Sequence, residues 1–201
     1  MMRGTTIEKD MVGSYCHATN SLVENSSNAP GESMMLAPVV VFAYNRPVHL
    51  QRTLDALAVC RLAAQSEVHV FADGPKKPAA AEAVAEVRGV LAREADAGRF
   101  AAFHVHASDV NLGLANSIIR GVGLVIALHG RVIVLEDDLL VSADFLEFMN
   151  DCLVFYKDDA TVGAVTGFCP LQTMPSGCTE DVFLVFRNSS QGWGTWAHVW
   201  N

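Results

Sequence analysis

The feature that most constrains the fold is an apolar run, Val132–Leu135, that leads directly into Glu136, Asp137 and Asp138. The run has no polar alternation and is rich in β-branched residues, which is typical of a strand covered on both faces in a parallel sheet. Open α/β sheets bind ligands beyond the carboxyl ends of such strands. An extended continuation would place Glu136 and Asp138 on one side and Asp137 on the other. A ligand site is favoured over helix caps, because a cap needs only one acid.

Strands and helices alternate along most of the chain. Strands are predicted over residues 38–43, 68–72, 100–106, 132–135, 162–166 and 182–186. Helices are predicted from Pro47 to about 63, over 78–96 and 115–128, and after an N-cap at Ser142. Such alternation predicts an α/β domain whose mostly parallel open sheet, mixed at one edge, has helices on both faces. His104 and His106 alternate along the third strand and are interpreted as strand residues without a chemical role.

The two ends of the chain differ from this pattern. Residues 1–36 are rich in Ser, Asn, Thr and Gly and are predicted to form a mobile extension, which leaves 37–201 as one domain. The stretch 187–196 is rich in glycine and aromatic residues and is predicted to be a loop.

Composition excludes several classes of function. The formal net charge of −8 argues against nonspecific binding to nucleic acid. The five scattered cysteines contain no CxxC pair, which favours reduced thiols over a disulfide framework or a cysteine zinc site. No stretch has the length of a transmembrane segment, and no signal peptide is visible, so the expected location is cytoplasmic.

Polar side chains follow three of the predicted strands. They are Asn45 and Arg46, then Asp73 in an Asp-Gly-Pro turn, then the three acids. Because the carboxyl ends of parallel strands share one edge, these groups are expected to converge on one ligand. Arg46 offers a fork that suits phosphate, and the acids suit Mg²⁺ or Mn²⁺. A diphosphate next to carboxylates would meet repulsion of about 4 kcal/mol per pair at 4 Å, so a bridging cation is expected with it.

Five motifs occur in order along residues 38–200: the Pro38–Pro47 strand and turn, Asp73-Gly74-Pro75, Asn111–Ala115, Glu136-Asp137-Asp138, and Gly192–Trp196. This order resembles GT-A-fold nucleotide-sugar glycosyltransferases of the family 2 type. The acid triplet and the Asp-Gly turn are also similar to those of the N-acetylglucosaminyltransferases that act on N-glycan mannose. The resemblance implies a GT-A-like nucleotide-binding half.

The resemblance also implies roles for individual residues. Asp138 would be the metal ligand for Mn²⁺ or Mg²⁺, Glu136 and Asp137 would contact the ribose and nucleotide, and Asp73 would recognise the base. Position 136 is Glu where the family more often has Asp, so the division of roles within the triplet stays open. The other residues placed at the nucleotide or sugar are Asn45, Arg46, Asn111 and Trp193, the last on a loop that offers flat faces to a sugar.

The implied reaction is transfer of a sugar from a nucleoside-diphosphate sugar, a UDP-sugar by expectation, to a glycan or other hydroxyl acceptor, with inversion. In such enzymes the catalytic base follows the Gly-Trp stretch, whereas this sequence ends five residues after Trp196. We therefore expect a donor-binding half-site that lacks the acceptor part and self-associates. Asp181 is the nearest upstream acid for the base.

Three alternatives remain open. A sugar nucleotidyltransferase would need a glycine-rich basic loop after the first strand, which is not evident. A signalling domain that binds Mg²⁺ at strand ends would need a lysine at a neighbouring strand end, and none is evident. A non-catalytic nucleotide- and metal-binding remnant is the third alternative.

Overall fold

The computed structural model describes residues 35–169, 182 and 184–201. Every helix and strand of these residues lies in one unit, composed of Met35–Phe168 and Ser189–Asn201. The extension predicted over residues 1–36 lies outside the described residues, except for its last two.

Six strands form one sheet in the order β3-β2-β1-β4-β6-β5. Strands β1 to β4 pair in parallel, and β6 is antiparallel to both β4 and β5. This confirms the predicted mostly parallel sheet with a mixed edge. The strands are β1 Val39–Ala43, β2 Glu67–Ala72, β3 Ala102–Ala107, β4 Arg131–Glu136, β5 Val165–Thr166 and β6 Trp193–Trp196.

The helices follow the predicted periodicity, but several bounds differ: the first ends at Ala58 instead of near 63, and the second begins at Ala81 instead of 78 because Pro78–Ala80 forms a 3₁₀ turn. Pro47 begins the first helix, as its missing N–H and fixed φ favour. The predicted N-cap at Ser142 is wrong: Asp144 occupies the N-cap, and the fourth helix begins at Phe145. The helices are α1 Pro47–Ala58, α2 Ala81–Ala97, α3 Leu114–His129, α4 Phe145–Phe155 and α5 Ala197–Trp200, with 3₁₀ turns at Ala63–Gln65 and Pro78–Ala80.

Helices cover both faces of the sheet. On one face, Val122 and Ile126 of α3 pack against Phe42 and Val134, all nearly inaccessible to solvent. On the other face, a Cβ at Gly194 of β6 would lie 3.1 Å from Leu153 Cδ1 and 3.2 Å from Met149 Cε, so α4 packs directly on the strand. The run 132–135 is therefore buried from both sides, as its lack of alternation predicts.

The predictions for the C-terminal part of this sheet need correction. Trp193–Trp196, predicted to be a loop, is strand β6. Trp196 is 4% exposed and its indole N–H donates to the carbonyl of Leu153 at 2.9 Å, so it is a core residue. Of the strand predicted over 182–186, the described residues adopt no strand, and Val185 and Phe186 are exposed. A short apolar run does not determine secondary structure by itself.

The strand order creates a switch point between β1 and β4. The chain passes outward from β1 to β2 and β3, and α3 then returns it to the other side of β1. In open α/β sheets, ligands bind beyond the carboxyl ends of the strands at such a point. Among the helices that the structure describes, none has the length and apolarity that crossing a membrane requires.

Candidate functional site

Side chains from the ends of β1 and β4 meet across the switch point. The Nη1 group of Arg46 donates to Asp138 Oδ2 at 2.8 Å, and Nη2 donates to Asp137 Oδ1 at 2.5 Å. The sequence predicted that these three residues converge on one edge, and the structure brings them into direct contact. One guanidinium thus joins the two strands that flank the crevice.

The two aspartates differ in burial. The side chain of Asp137 is 3% exposed and that of Asp138 is 38% exposed. Burial raises the pKa of Asp137, although the charge of Arg46 and an N–H donated by Tyr44 at 3.4 Å act in the opposite direction. Asp137 therefore binds Arg46 from the buried side of the crevice, and Asp138 binds it on the side that is accessible to solvent.

Glu136 is the last residue of β4 and is half-buried. Its pKa is raised by burial first and then by the charges of Asp138 and Asp137. Desolvation lowers the pKa of Arg46, but the two aspartates outweigh that effect and raise it. One guanidinium faces three carboxylates, so a further cation at this edge would be stabilised.

The extended conformation does not continue beyond Glu136. The chain turns after this residue, and Leu139 donates its N–H to the Glu136 carbonyl at 3.4 Å. Asp137 and Asp138 consequently approach the same guanidinium instead of pointing to opposite sides. Strand alternation failed as a guide here because the strand ends one residue before the two aspartates.

Asp73 fastens the end of β2 to the segment that precedes α3. Its Oδ1 accepts N–H groups of Leu112 at 2.8 Å and Gly74 at 3.0 Å, and its Oδ2 accepts the N–H of Gly113 at 2.9 Å. The side-chain amide of Asn111 donates to the carbonyl of Gly74 at 2.9 Å. We call these five residues the Asp73 latch. Three of the roughly four acceptor positions of the carboxylate are used internally, so base recognition by Asp73 remains a prediction.

A cavity of about 370 Å³ lies beside the latch. Its lining includes Asp73, Ser117 and Arg120, together with Phe71 and His106. The rings of Phe71 and His106 are stacked with centroids 4.3 Å apart and an interplanar angle of 8°. The cavity therefore combines flat apolar faces with a few polar groups, as small-molecule sites do.

Tyr44 is a site residue that the sequence analysis missed. Its hydroxyl accepts the backbone N–H of Lys76 at 3.0 Å, which links the turn after β1 to the turn after β2. Nothing in the local pattern distinguishes this tyrosine from a core aromatic residue. Asn45 lies between Tyr44 and Arg46 in the same turn and is half-buried.

Trp193 lies in strand β6 opposite Val134, not on a loop. Its ring stacks with that of Trp200 at a centroid distance of 6.0 Å and packs against the core beneath α3. The loop predicted at this residue is therefore wrong, whereas a contact of Trp193 with a sugar stays a prediction. Asp181, the expected candidate for the base, lies outside the described residues.

Comparisons with known proteins identify similar folds and no close relative. No family model matches the chain, and no curated protein matches it. Among solved structures, the chain is similar to a mannosyltransferase, PcManGT from Pyrobaculum calidifontis in complex with GDP-Man and Mn²⁺, with 17% identity and a TM-score of 0.47 over 72% of this chain and 40% of that one. It is also similar to S. aureus TarS 1–349, with 16% identity and a TM-score of 0.46 over 66% of this chain and 35% of that one. The chain spans less than half of either protein, and similarity of this degree is a likeness of fold with no bearing on chemistry.

Proposed function

We propose that this chain carries the nucleotide-sugar-binding half of a metal-dependent, inverting glycosyltransferase. The observation that carries the proposal is the set of ion pairs from Arg46 to Asp137 and Asp138 across the switch point. Such a crevice is where open α/β sheets bind nucleotides. A phosphate-binding cation and surplus carboxylates lie side by side there, which is the chemistry that a metal–diphosphate complex requires.

Asp138 is the proposed ligand of Mn²⁺ or Mg²⁺, with Glu136 beside it. Of the two carboxylate oxygens of Asp138, Arg46 bonds to Oδ2, and the Asp138 side chain is accessible to solvent. Both metals prefer oxygen ligands, so these carboxylates suit them. A bound cation would neutralise the charge that develops on the departing nucleoside diphosphate.

Arg46 is proposed to orient the diphosphate. A guanidinium has five N–H donors, and the two ion pairs use one N–H from each terminal nitrogen. Its side chain is 44% exposed, so remaining donors are within reach of a ligand. Asp137, fixed by burial, holds the guanidinium at the crevice and so reduces the entropy lost on binding.

The cavity beside the Asp73 latch is the proposed position of the nucleobase, with uracil as the expected base. Its volume of about 370 Å³ lies within the usual range for ligand sites. Asp73 and Asn111 would hold the wall of this cavity in place, and Asp73 retains one acceptor position for a base N–H. We propose a hydroxyl of a glycan or another molecule as the acceptor and Asp181 as the base that deprotonates it.

The test is binding of nucleoside diphosphates with and without Mn²⁺, followed by melting temperature and by calorimetry. A ligand that binds the native state raises its stability. We expect UDP to raise the melting temperature only when Mn²⁺ is present, with GDP, CDP and ADP weaker. In Asp138→Asn the metal-dependent rise should be lost, whereas Asp158→Asn, which changes an exposed acid after α4, should behave as wild type.

Two results would contradict the proposal. One is the absence of any metal-dependent rise with all four nucleotides. The other is an unchanged affinity in Asp138→Asn, which would remove the metal assignment. If the metal-dependent binding is found, slow release of UDP from a UDP-sugar in the presence of Mn²⁺ would distinguish a transferase site from a binding-only remnant.

A further inference from the structure

A second group of titratable side chains lies at the opposite edge of the sheet from the three acids. Glu67 and His69 alternate along β2, and His104 occupies the position of β3 that pairs with His69. His129 is the last residue of α3, which runs antiparallel to the strands. Phe71 of β2 and Glu136 of β4 both pair with the same residue of β1, so they lie side by side across the sheet. Glu67 precedes Phe71 by four residues along β2. Four strand residues correspond to about 13 Å, so the two groups are separate sites.

Three of these side chains could close around one cation. The ligand atoms of Glu67, His69 and His129 all lie within 4.8 Å of one another. The distance from His69 Nε2 to Glu67 Oε1 is 3.0 Å. Ligand atoms around a tetrahedral ion with bonds of about 2.1 Å are separated by about 3.4 Å. Small side-chain rotations of the half-buried Glu67 and His129 would therefore complete the geometry around the fixed, buried His69.

Two histidine nitrogens lie so close to Glu67 Oε1 that a proton or a cation must lie between them and this oxygen. Glu67 Oε1 lies 3.0 Å from His69 Nε2 and 2.9 Å from His104 Nε2. A carboxylate oxygen and a deprotonated imidazole nitrogen are both acceptors, so something electropositive must lie between them. A single cation would satisfy Glu67 and His69 together and draw in His129.

The surroundings of His69 match those of a metal-bound histidine. Its other ring nitrogen, Nδ1, lies 3.1 Å from His106 Nε2. In the tautomer in which Nδ1 carries the proton and donates it to His106, the Nε2 lone pair is available to a cation, and outer partners of metal ligands commonly fix this tautomer. The site also lies at the carboxyl end of α3, where the helix dipole favours a cation.

We propose that Glu67, His69 and His129 bind a divalent cation of the zinc class, and that this ion joins the end of α3 to β2. Two imidazole nitrogens and one carboxylate form a ligand set that suits Zn²⁺, whereas Mg²⁺ and Mn²⁺ prefer oxygen ligands. His104 and His106 are positioning residues that orient Glu67 and His69. The three ligands lie away from the three acids, whereas His106 also lines the cavity proposed for the nucleobase. The inference does not rest on the proposed transferase function, because it concerns cation binding by Glu67, His69 and His129.

The test uses the full chain after treatment with a chelator and dialysis. Titration with Zn²⁺ alone should raise the melting temperature and bind at a stoichiometry near one, and Mg²⁺ should do neither. His129→Gln and Glu67→Gln should each weaken Zn²⁺ binding by at least about tenfold, since loss of even an outer partner of a ligand costs this much. His49→Gln, which removes an exposed histidine of α1, should bind as wild type.

Two readouts guard against a variant that simply folds poorly. The melting temperature without metal reports the intrinsic stability of each variant, and His129 is a half-buried residue at the end of a helix. Co²⁺ in place of Zn²⁺ should give visible absorption bands of a low-coordinate site, which His129→Gln should weaken. Absence of a Zn²⁺-dependent rise in the melting temperature of wild type, or a Zn²⁺ affinity equal to that of wild type in both His129→Gln and Glu67→Gln, would overturn the proposal.

Discussion

At the scale of single residues, Arg46 carries the electrostatic balance of the crevice. It is the guanidinium that contacts both Asp137 and Asp138. Asp137 is so little exposed that water cannot replace this partner, whereas Asp138 is accessible and can exchange Arg46 for another cation. The two contacts of one arginine therefore have different purposes, one structural and one available to a ligand.

Arg46→Gln should destabilise the fold through Asp137. The variant leaves a buried carboxylate with only the long contact from Tyr44, and we expect a loss of about 1–2 kcal/mol in the free energy of unfolding. This lies at the low end for a charged hydrogen bond because Arg46 is 44% exposed. Urea unfolding measures the effect, and Arg52→Gln, an exposed arginine of α1, is the control.

The double variant Arg46→Gln/Asp137→Asn separates charge from packing. A neutral amide at 137 needs no counter-charge, so the double variant should be more stable than Arg46→Gln alone. Strictly additive losses from the two substitutions would show that the ion pair has no role in stability.

Residue chemistry alone predicted which polar groups gather at this edge but not how they are used. The positions of Arg46, Asp73 and the three acids followed from the ends of the parallel strands. The burial of Asp137 did not, because it depends on a turn after Glu136 that the sequence does not mark. The three N–H groups on Asp73 were equally hidden, since they come from Gly74 and from a distant segment that ends in Gly113.

At the scale of elements, the Asp73 latch sets where α3 begins. Gly113, with φ of +77°, occupies the N-cap of α3 and donates its N–H to Asp73. Gly74 brings the end of β2 against the neighbouring backbone, because a Cβ there would lie 2.7 Å from backbone atoms of Asp109 and Val110. The latch thus fixes the helix that covers the site face of β1 and β4.

Gly74→Ala should destabilise the protein by about 1–3 kcal/mol, since the methyl group would overlap backbone that cannot move without breaking the latch. Gly89→Ala is the matched control. Gly89 lies inside α2, where a Cβ would meet Arg93 Nη1 at an ordinary 3.5 Å, and alanine there should stabilise by about 0.5–1 kcal/mol. Thermal unfolding of both variants gives the comparison, and a destabilisation of equal size in both would show that the close approach at Gly74 is unimportant.

Elements with a sustained period were predicted well. The helices α2 and α3 and the parallel strands β1, β2 and β4 matched their apolar patterns to within a few residues. Strand β6 was missed because it is four residues long and contains Gly194, which strands usually disfavour. The neighbouring strand β4 approaches so closely that a Cβ at Gly194 would lie 3.0 Å from the Val132 carbonyl oxygen, and only the assembled sheet reveals this requirement.

At the scale of the whole molecule, the thiol of Cys152 makes stability depend on alkaline pH. Cys152 lies in α4 and is 1% exposed. Burial first, and then the charge of Asp151, raises its pKa from 9.0 to about 12. In the unfolded chain the thiol ionises from about pH 9, while in the folded protein it stays protonated. Its contribution to stability is therefore complete below pH 9 and is lost as the pH rises towards 12.

Cys152→Ala should remove this part of the pH dependence. A difference of about three pKa units between the folded and unfolded states lowers the free energy of unfolding by at most about 4 kcal/mol between pH 9 and pH 12. The cost of the smaller side chain is the same at every pH, so the slope of stability with pH separates the two effects. Urea unfolding at several pH values measures the slope, with Cys169→Ala at an exposed position as the control. A wild-type slope in Cys152→Ala would contradict the assignment.

The position of β6 between β4 and β5 also determines the order in which the sheet can form during synthesis. One side of β4 pairs with β1, which precedes it in the chain. The other side stays unpaired until the ribosome has synthesised β6, much later in the sequence. At usual translation rates this delay lasts on the order of seconds. Throughout that time the emerging polypeptide presents a strand with four consecutive apolar residues, Val132–Leu135, whose backbone groups are unpaired on one side, which is a template for aggregation and for chaperone binding. The strand that leads into the three acids is thus shielded on its second side only after β6 has been synthesised.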